Sequence, residues 1–552
     1  MTDRLKIALA QLNPTVGDID GNLEKVRAAR AQAAGAGADL VVYSELVITG
    51  YPPEDLVLKP VFCDDVMTAV QALTADTADG GPALLLGTPW RDEGRLFNAV
   101  VLMDGGKIDA VTLKRHLPNY GVFDEKRVFA EGPPPEPLEF RGVKLGVMIC
   151  EDMWLADVAG HLTQAGAELL IVSNGSPFEA EKEERLTFAR DRVRETGLPL
   201  VYVNQVGGQD ELVFDGASFV LNGEGEFALR APDWVEDVIE TGWRKSGNRW
   251  VPDKGPIAEP AADLEAIYQA MMTGLRDYVR KNRFRGVVLG LSGGIDSALT
   301  MAVAADAIGG DMVHAVLLPY EYTSKASIDD AVECAEWLGV RADTIPIKPV
   351  VEAFTEMLRD SFAHTSEDAT EENLQARSRA VTLMALSNKF GYMLLTTGNK
   401  SEMSVGYATL YGDLCGGYSV LKDVYKTTVY ALSEWRNQHL PMGALGPKGR
   451  AIPENIITKA PTAELRPGQL DQDSLPPYDE LDDILQCLVE HDMAVEQVAA
   501  RGHDRDVIAR IEHLLYVAEY KRRQAPPGVK ITRKGFGKDR RYPITNGYRD
   551  AR

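Results

Sequence analysis

Cysteine is scarce. The 552 residues hold five, Cys63, Cys150, Cys334, Cys415 and Cys487. No two of them form a C-x-x-C pair and their number is odd, so neither a disulfide framework nor a zinc site is expected, and a cytoplasmic, reducing setting fits. Long apolar runs are missing too: none approaches the ~18 residues that a membrane-spanning helix needs. The opening Met1-Thr2-Asp3 leads into no signal peptide. Positive charge is in deficit, with 59 Lys and Arg against 82 Asp and Glu and a net charge of −23. So acidic a chain repels phosphate polyanions overall, which argues against nucleic acid or a membrane surface as a partner. No repeat of solenoid period is visible. What remains is an ordinary globular composition, 45% hydrophobic and 26% charged, with length for two to four domains of about 100–250 residues each.

The most informative stretch is residues 286–299, Gly-Val-Val-Leu-Gly-Leu-Ser-Gly-Gly-Ile-Asp-Ser-Ala-Leu. The apolar run 287–291 predicts a buried strand, Ser292-Gly293-Gly294 a turn, and Ala298, Met301, Ala302 and Ala305 a helix. Such a turn binds phosphate, because glycines let the backbone approach while the first N–H groups and the helix dipole favour an anion. The Gly-Lys-Ser/Thr ending of a Walker loop is absent, which sets aside a kinase-type P-loop. Asp296, just past the turn, is a candidate Mg2+ ligand. An ordinary strand–turn–helix corner would carry the same glycines. The full Ser-Gly-Gly-Ile-Asp-Ser, however, resembles the pyrophosphate-binding loop of the ATP pyrophosphatase family, whose members adenylate a substrate and release pyrophosphate.

Residues 1–240 alternate apolar strands (5–12, 40–43, 83–87, 98–103, 143–149, 169–173, 200–204) with helices such as 22–36, a strand-rich α/β pattern. Three polar residues end or follow such strands: Glu45 after Leu-Val-Val-Tyr-Ser, Lys114 in Thr-Leu-Lys-Arg-His-Leu-Pro-Asn-Tyr, and Cys150 in Val-Met-Ile-Cys-Glu-Asp. Singly, each reads as a buried thiol or a solvated edge charge. Together they supply a nucleophile, a carboxylate to take its proton and an ammonium to stabilise an oxyanion. These blocks, with Ser-Glu-Leu…Gly-Tyr-Pro, resemble the nitrilase (carbon–nitrogen hydrolase) superfamily, which implies a four-layer αββα sandwich. The resemblance implies Glu45 as general base, Lys114 as transition-state stabiliser, Cys150 as nucleophile and Glu125 as a second glutamate beside the lysine. For glutaminase members it further implies Tyr120, Ser176, Lys182 and Glu151 around the glutamine, although Ser176 also reads as a plain turn residue before Pro177.

Residues 241–262 replace apolar periodicity by glycine, proline and charge, and read as a linker. From 263 onward β-α alternation predicts a doubly wound parallel sheet. The strand near 392–397 ends in Thr396-Thr397-Gly398-Asn399-Lys400-Ser401-Glu402. That block and Asn373-Leu-Gln-Ala-Arg377 resemble NAD synthetases. Taken with the other blocks, the resemblance covers nearly the whole chain and points to glutamine-fed members of that family. It implies a Rossmann-like, adenine nucleotide alpha hydrolase type of second domain. ATP, as co-substrate, would meet Gly290, Leu291, Ser292, Gly293, Gly294, Ile295, Asp296, Ser297, Thr397 and Lys422. Mg2+ would sit on Asp296 and Glu402, and deamido-NAD+ on Asn373, Arg377, Glu402 and Lys521. A homo-oligomer, dimer or octamer, is implied as well, with glutamine, ATP and deamido-NAD+ as the other partners. One departure stands out: ammonia-only relatives carry a lysine in the block before Tyr-Gly-Asp, where this chain reads Thr409-Leu410-Tyr411-Gly412-Asp413.

Residues 521–541 reverse the chain's charge, with nine Lys and Arg and one acid, Asp539. A solvated tail, a nucleic-acid contact and a lid over substrate phosphates are the three readings, and the family resemblance of Lys-Arg-Arg-Gln favours Lys521 at the dinucleotide. Two enzymatic rivals fail on residues. Asparagine synthetase-like enzymes need an N-terminal Cys where Thr2 stands, and GMP synthetase-like ones a glycine-flanked Cys, whereas Ile149 and Glu151 flank Cys150. A non-catalytic nucleotide-binding scaffold would show decay in these blocks, and none is visible.

Overall fold

The computed structural model describes residues 3–180 and 184–550. The chain divides into two compact units, Met1–Ala261 and Ala262–Arg552. No described helix is long and apolar enough to cross a membrane.

The first unit contains strands β1 (Arg4–Gln11), β2 (Leu40–Tyr43), β3 (Ala83–Asp92), β4 (Arg95–Asp104), β5 (Lys107–Leu113), β6 (Leu138–Phe140), β7 (Val143–Ile149), β8 (Leu169–Asn174), β9 (Leu200–Asn204), β10 (Val206–Gln209), β11 (Leu212–Asp215), β12 (Phe219–Leu221), β13 (Phe227–Arg230), β14 (Asp237–Ser246) and β15 (Arg249–Pro252). One sheet runs β15-β14-β1-β2-β3-β4-β5 and the other β13-β12-β9-β8-β7-β6. The two face each other. Leu9, Val42, Leu85 and Val100 of the first sheet share a core with Val147, Ile171 and Val201 of the second. On the outside, Val26, Ala29, Val66 and Val70 from helices Ile19–Gly35 and Pro60–Asp76 cover the first sheet. Val158, Leu162, Ala189 and Val193 from Ala156–Gln164 and Glu184–Thr196 cover the second. The result is the expected four-layer αββα sandwich. Strands buried on both faces explain why sequences such as Leu40–Tyr43 lack alternation.

The stretch 241–262 departs from its expected role as a linker. Its first part completes β14 and forms β15, and β14 pairs antiparallel with β1 from Arg4↔Arg244 to Gln11↔Asp237. The cause is two tryptophans, Trp243 and Trp250, each 2% exposed in the inter-sheet core. Their burial outweighs the glycine, proline and charge around them, since one tryptophan removes roughly 150–250 Å² from water.

The second unit holds five parallel strands, β16 (Val287–Gly290), β17 (Val313–Leu317), β18 (Arg341–Thr344), β19 (Met393–Thr396) and β20 (Tyr418–Ser419), in the order β18-β17-β16-β19-β20. The expected doubly wound sheet is present. Its order turns about β16, so the crevice beyond the carboxyl ends of β16 and β19 is where such sheets bind ligands. The strand expected at 343–347 starts earlier, at Arg341.

The basic segment 521–541 is neither a free tail nor a lid throughout. Arg522 and Arg540 are buried and both reach Glu519, at 2.8 and 3.4 Å, and Lys530 lies 3.6 Å from Asp539. Val529, Ile531 and Phe536 are buried among them. Lys400 fastens this segment from the other side: its Nζ donates to Thr532 Oγ1 at 2.5 Å and to the Lys534 carbonyl at 3.0 Å, and it pairs with Asp423 and Glu490. Charge counting missed this, because it saw one acid inside the segment and not those brought to it by folding.

Candidate functional site

In the first unit three strand ends meet. Glu45 follows β2, Lys114 follows β5 and Cys150 follows β7, so the site draws on both sheets. Glu45 and Lys114 are fully buried. Lys114 Nζ donates to Glu45 Oε1 at 2.6 Å and to both Glu125 oxygens at 2.8 and 2.9 Å. Two residues to which the sequence reading gave no role complete the frame. Asn98 Nδ2 donates to Glu45 Oε1 at 2.7 Å, and the Tyr51 hydroxyl donates to Glu125 Oε1 at 2.9 Å. The Gly175 N–H donates to Glu45 Oε2 at 2.9 Å. A Cβ at Gly175 would lie 2.8 Å from the Tyr51 ring, so only glycine brings its backbone this close. Tyr51 stands in the Gly-Tyr-Pro of the family-like block but carried no assigned role, and Asn98 gave no signal because an Asn inside an apolar strand is common.

Cys150 sits on an elbow, φ 47° and ψ −98°, a left-handed φ that a side chain rarely adopts. Its N–H is anchored on the Ser173 carbonyl at 3.0 Å. Strain of this kind, about 1–3 kcal/mol, persists where the surroundings enforce it and clusters at reactive centres. Burial first, and then the Glu45 carboxylate, push the thiol well above its ordinary range, against the pull of Lys114. Burial alone would lower Lys114, but Glu125 and Glu45 outweigh it and hold the ammonium well above its usual range. Burial pushes Glu125 up to about 7, with Lys114 opposing and Glu45 adding to it. The thiol thus lies beside a lysine held between two glutamates. Around it, the Tyr120 hydroxyl donates to Glu151 Oε2 at 2.9 Å. Ser176 is buried, and Asn204 fixes its backbone from both sides at 2.9 and 3.0 Å. Lys182 lies outside the described residues.

In the second unit a cavity of about 290 Å³ opens beyond β16 and β19. Gly290, Leu291, Ser292, Gly294, Ile295, Asp296, Ser297, Thr397 and Glu402 line it. Gly293 sits behind, at φ +77°, where an added Cβ would lie 2.2 Å from the Ser327 carbonyl oxygen. Ser292 Oγ and Ser297 Oγ, 3.1 Å apart, brace the turn, with Gly294 N–H donating to Ser292 Oγ at 3.1 Å. Gly293→Ala is therefore expected to cost the turn its shape and to weaken ATP binding at least about tenfold, by both clash and φ. Equilibrium titration with a fluorescent ATP analogue measures it, and unchanged affinity would remove the turn from the nucleotide site.

Asp296 and Glu402 converge on one ammonium, that of Lys426 and not of Lys422. Lys426 Nζ pairs with Asp296 Oδ2 and lies 3.5 Å from Glu402 Oε1. Asn399 bridges the same two acids, donating to Asp296 Oδ1 at 2.9 Å and accepting from the Glu402 N–H at 3.0 Å. Burial and then Asp296 push Glu402 up to about 8, with Lys426 opposing. Lys422 is buried and is not among the residues that line the cavity. The two lysines stand four residues apart after a two-residue strand, and sequence alone offers no basis for choosing between them. Among the described residues no cluster of three or more His, Cys, Asp or Glu could hold a metal. Two carboxylates match an ion that arrives with phosphates, since Mg2+ commonly takes one or two protein carboxylates and fills its shell with phosphate and water.

Asn373, Arg377 and Lys521 gather on the turn 406–411. Asn373 Oδ1 accepts from Thr409 Oγ1 at 2.9 Å and Arg377 Nε donates to the Leu410 carbonyl at 3.2 Å. Lys521 Nζ donates to the Gly406 and Ala408 carbonyls at 2.8 and 2.7 Å. None of the three lines the cavity; the next residues of the turn, Gly412 and Asp413, do.

Comparison with known proteins gives the same two halves. The carbon–nitrogen hydrolase family model matches residues 6–242 and the NAD synthase model residues 267–525. A glutamine-dependent NAD(+) synthetase of Rhodobacter capsulatus is 52% identical over 551 residues, 100% of each chain. One of Acinetobacter baylyi is 44% identical over 99% of each. The solved glutamine-dependent NAD+ synthetase of Acinetobacter baumannii, in complex with ADP, is 42% identical over 99% of each chain, with a TM-score of 0.79.

Proposed function

The chain belongs to the glutamine-dependent NAD(+) synthetases, carbon–nitrogen ligases fed by glutamine, and from that premise we propose how its residues divide the chemistry. Glu45 takes the proton of Cys150, whose sulfur attacks the glutamine carboxamide carbon. Lys114, held upright by Glu45 and Glu125, faces the oxyanion that forms. Collapse expels ammonia, protonated by Glu45, and leaves a thioester that water cleaves to glutamate with Glu45 again as base. Tyr120, Ser176, Lys182 and Glu151 are assigned to the glutamine itself.

In the second unit the turn 290–297 cradles ATP phosphates, Thr397 contacts the nucleotide and Lys426 offers its ammonium to the phosphates. Asp296 and Glu402 would hold Mg2+ together with those phosphates, and the chemistry it supplies is neutralisation of the departing pyrophosphate. Asn373, Arg377 and Lys521 shape the turn against which deamido-NAD+ rests. Its nicotinate carboxylate attacks the α-phosphate and pyrophosphate leaves; ammonia then displaces AMP and forms the amide of NAD+. Ammonia must travel unprotonated between the reactions, because ammonium is no nucleophile, and an enclosed channel would keep it so. We place the enzyme in the cytoplasm as a homo-oligomer, dimer or octamer; five free thiols support the first assignment.

One observation carries this reading. The same chain holds a buried Glu–Lys–Glu array beside a strained thiol, and a glycine turn facing two carboxylates joined by an ammonium. Incubation with amide-15N glutamine, ATP and deamido-NAD+ tests it. Label is expected in the carboxamide of NAD+, with one AMP and one pyrophosphate per NAD+ formed. Glutamate production without labelled NAD+ would overturn it.

A further inference from the structure

Lys114 and Cys150 follow strands of different sheets; Glu45 reaches the second sheet through the Gly175 N–H past β8, but among the described residues no side-chain contact of Glu45, Lys114 or Glu125 reaches β7, the thiol's own strand. One buried side chain does. Asp152 is fully buried, two residues past Cys150. Its Oδ1 accepts from the N–H groups of Arg115 at 3.1 Å and His116 at 2.8 Å, immediately after Lys114. Its Oδ2 accepts from the Ile149 N–H at 3.1 Å, immediately before Cys150. A single carboxylate thus spans the end of β5 in one sheet and the end of β7 in the other, at the two residues whose separation decides whether the ammonium meets the oxyanion.

We propose that Asp152 is a positioning residue, a brace between the sheets that sets the distance from Lys114 to Cys150. A carboxylate suits the task because it is acceptor-only, and all three of its partners are fixed backbone donors. Asparagine has nearly the same shape but only one acceptor oxygen. With that oxygen toward Arg115 and His116, its NH2 would face the Ile149 N–H, donor against donor, and the β7 side of the brace opens. A displacement of about 1 Å at a reacting group can cost on the order of 10²-fold in rate.

The inference rests on Cys150 being the nucleophile, and the test keeps the two apart. In full-length Asp152→Asn, kcat for glutamine hydrolysis is expected to fall about 10- to 100-fold with KM for glutamine within about twofold of wild type. Alkylation of Cys150 by iodoacetamide is expected to slow in parallel, while NAD+ formation from added ammonium stays at the wild-type rate. A structural role alone would move the melting temperature and the ammonium-driven rate and would not split kcat from KM. Wild-type kcat in Asp152→Asn, or equal loss with both nitrogen sources in folded protein, would overturn the brace. If that variant does not fold, Asp152→Glu decides. It keeps a carboxylate one methylene further out, so a lowered glutamine kcat with intact ammonium-driven synthesis supports the brace, and a wild-type kcat overturns it. Should Cys150→Ala retain glutamine turnover, the nucleophile assignment fails on its own account, whatever Asp152 does.

Discussion

Cys150→Ala is expected to lose glutamine-dependent NAD+ formation completely and to recover it when ammonium is supplied at alkaline pH. In the proposed mechanism the thioester forms on the Cys150 sulfur, so its removal ends ammonia release from glutamine. Lys114, Glu45 and Glu125 remain paired without it, so the array that surrounds it keeps its ion pairs. The second unit keeps its cavity and both acids, which lie entirely within residues 262–552. Replacing a buried Cys by Ala should cost no more than a few kcal/mol of stability, about the ordinary range for a small core truncation, and it leaves the φ of 47° no harder to adopt. The measurement is NAD+ formation with each nitrogen source, alongside glutamate release. Full activity with glutamine would make the thiol a mere core residue. Loss with ammonium as well, in a protein whose melting curve is unchanged, would mean that the two reactions are not separable.

Asp296→Asn is expected to abolish AMP and pyrophosphate formation with either nitrogen source, by at least about 10³-fold, or roughly 4 kcal/mol of transition-state stabilisation. Two effects add. One of two carboxylates able to share a cation with the phosphates is gone. Lys426, which pairs with Asp296 and lies 3.5 Å from Glu402, also loses its nearer partner and swings its charge toward Glu402. Glu402 then ionises more easily, since Asp296 is among the charges that hold it up at about 8. The residual activity of Asp296→Asn should therefore have an acid limb shifted to lower pH than in wild type. Glutamine hydrolysis should persist in this variant. Near-normal synthesis with ammonium would remove Asp296 from the chemistry.

The parts of this protein that were legible in its sequence share a cause: each meets a demand that few residue types satisfy. Gly293 holds φ +77° against a carbonyl oxygen, so the turn announces itself as glycine. Glu45, Lys114 and Cys150 interrupt apolar strands at their ends, where a charge or thiol has to be explained. The Rossmann-like alternation of the second half followed from the buried apolar strands β16, β17 and β19. What stayed hidden depends on neighbours distant in sequence. Trp243 and Trp250 turn an apparent linker into β14 and β15 only because an inter-sheet core receives them. Lys426 lines the cavity and Lys422 does not, although the two stand four residues apart in the sequence. Lys530 and Arg540 look solvated until Asp539 and Glu519 fold against them. Asn98 and Asp152 are ordinary residues whose importance lies wholly in what they touch.

The pairing of β14 with β1 bears on how the first unit comes into being on the ribosome. β1 is made long before its partner, which pairs with all eight of its residues, Arg4 to Gln11, and is completed only with Arg244. Until the chain has emerged as far as Arg244, one edge of β1 is an open row of peptide groups flanked by Leu5, Ile7 and Leu9, the kind of edge that recruits other strands. The helix Ile19–Gly35 and the parallel strand β2 can cover one face and the other edge early, but the sheet has no way to close before its last hairpin arrives. The glutaminase half is thus finished nearly at the moment synthesis of the second half begins. The apparent linker is the clasp that ends the nascent chain's exposure, not slack between two finished bodies.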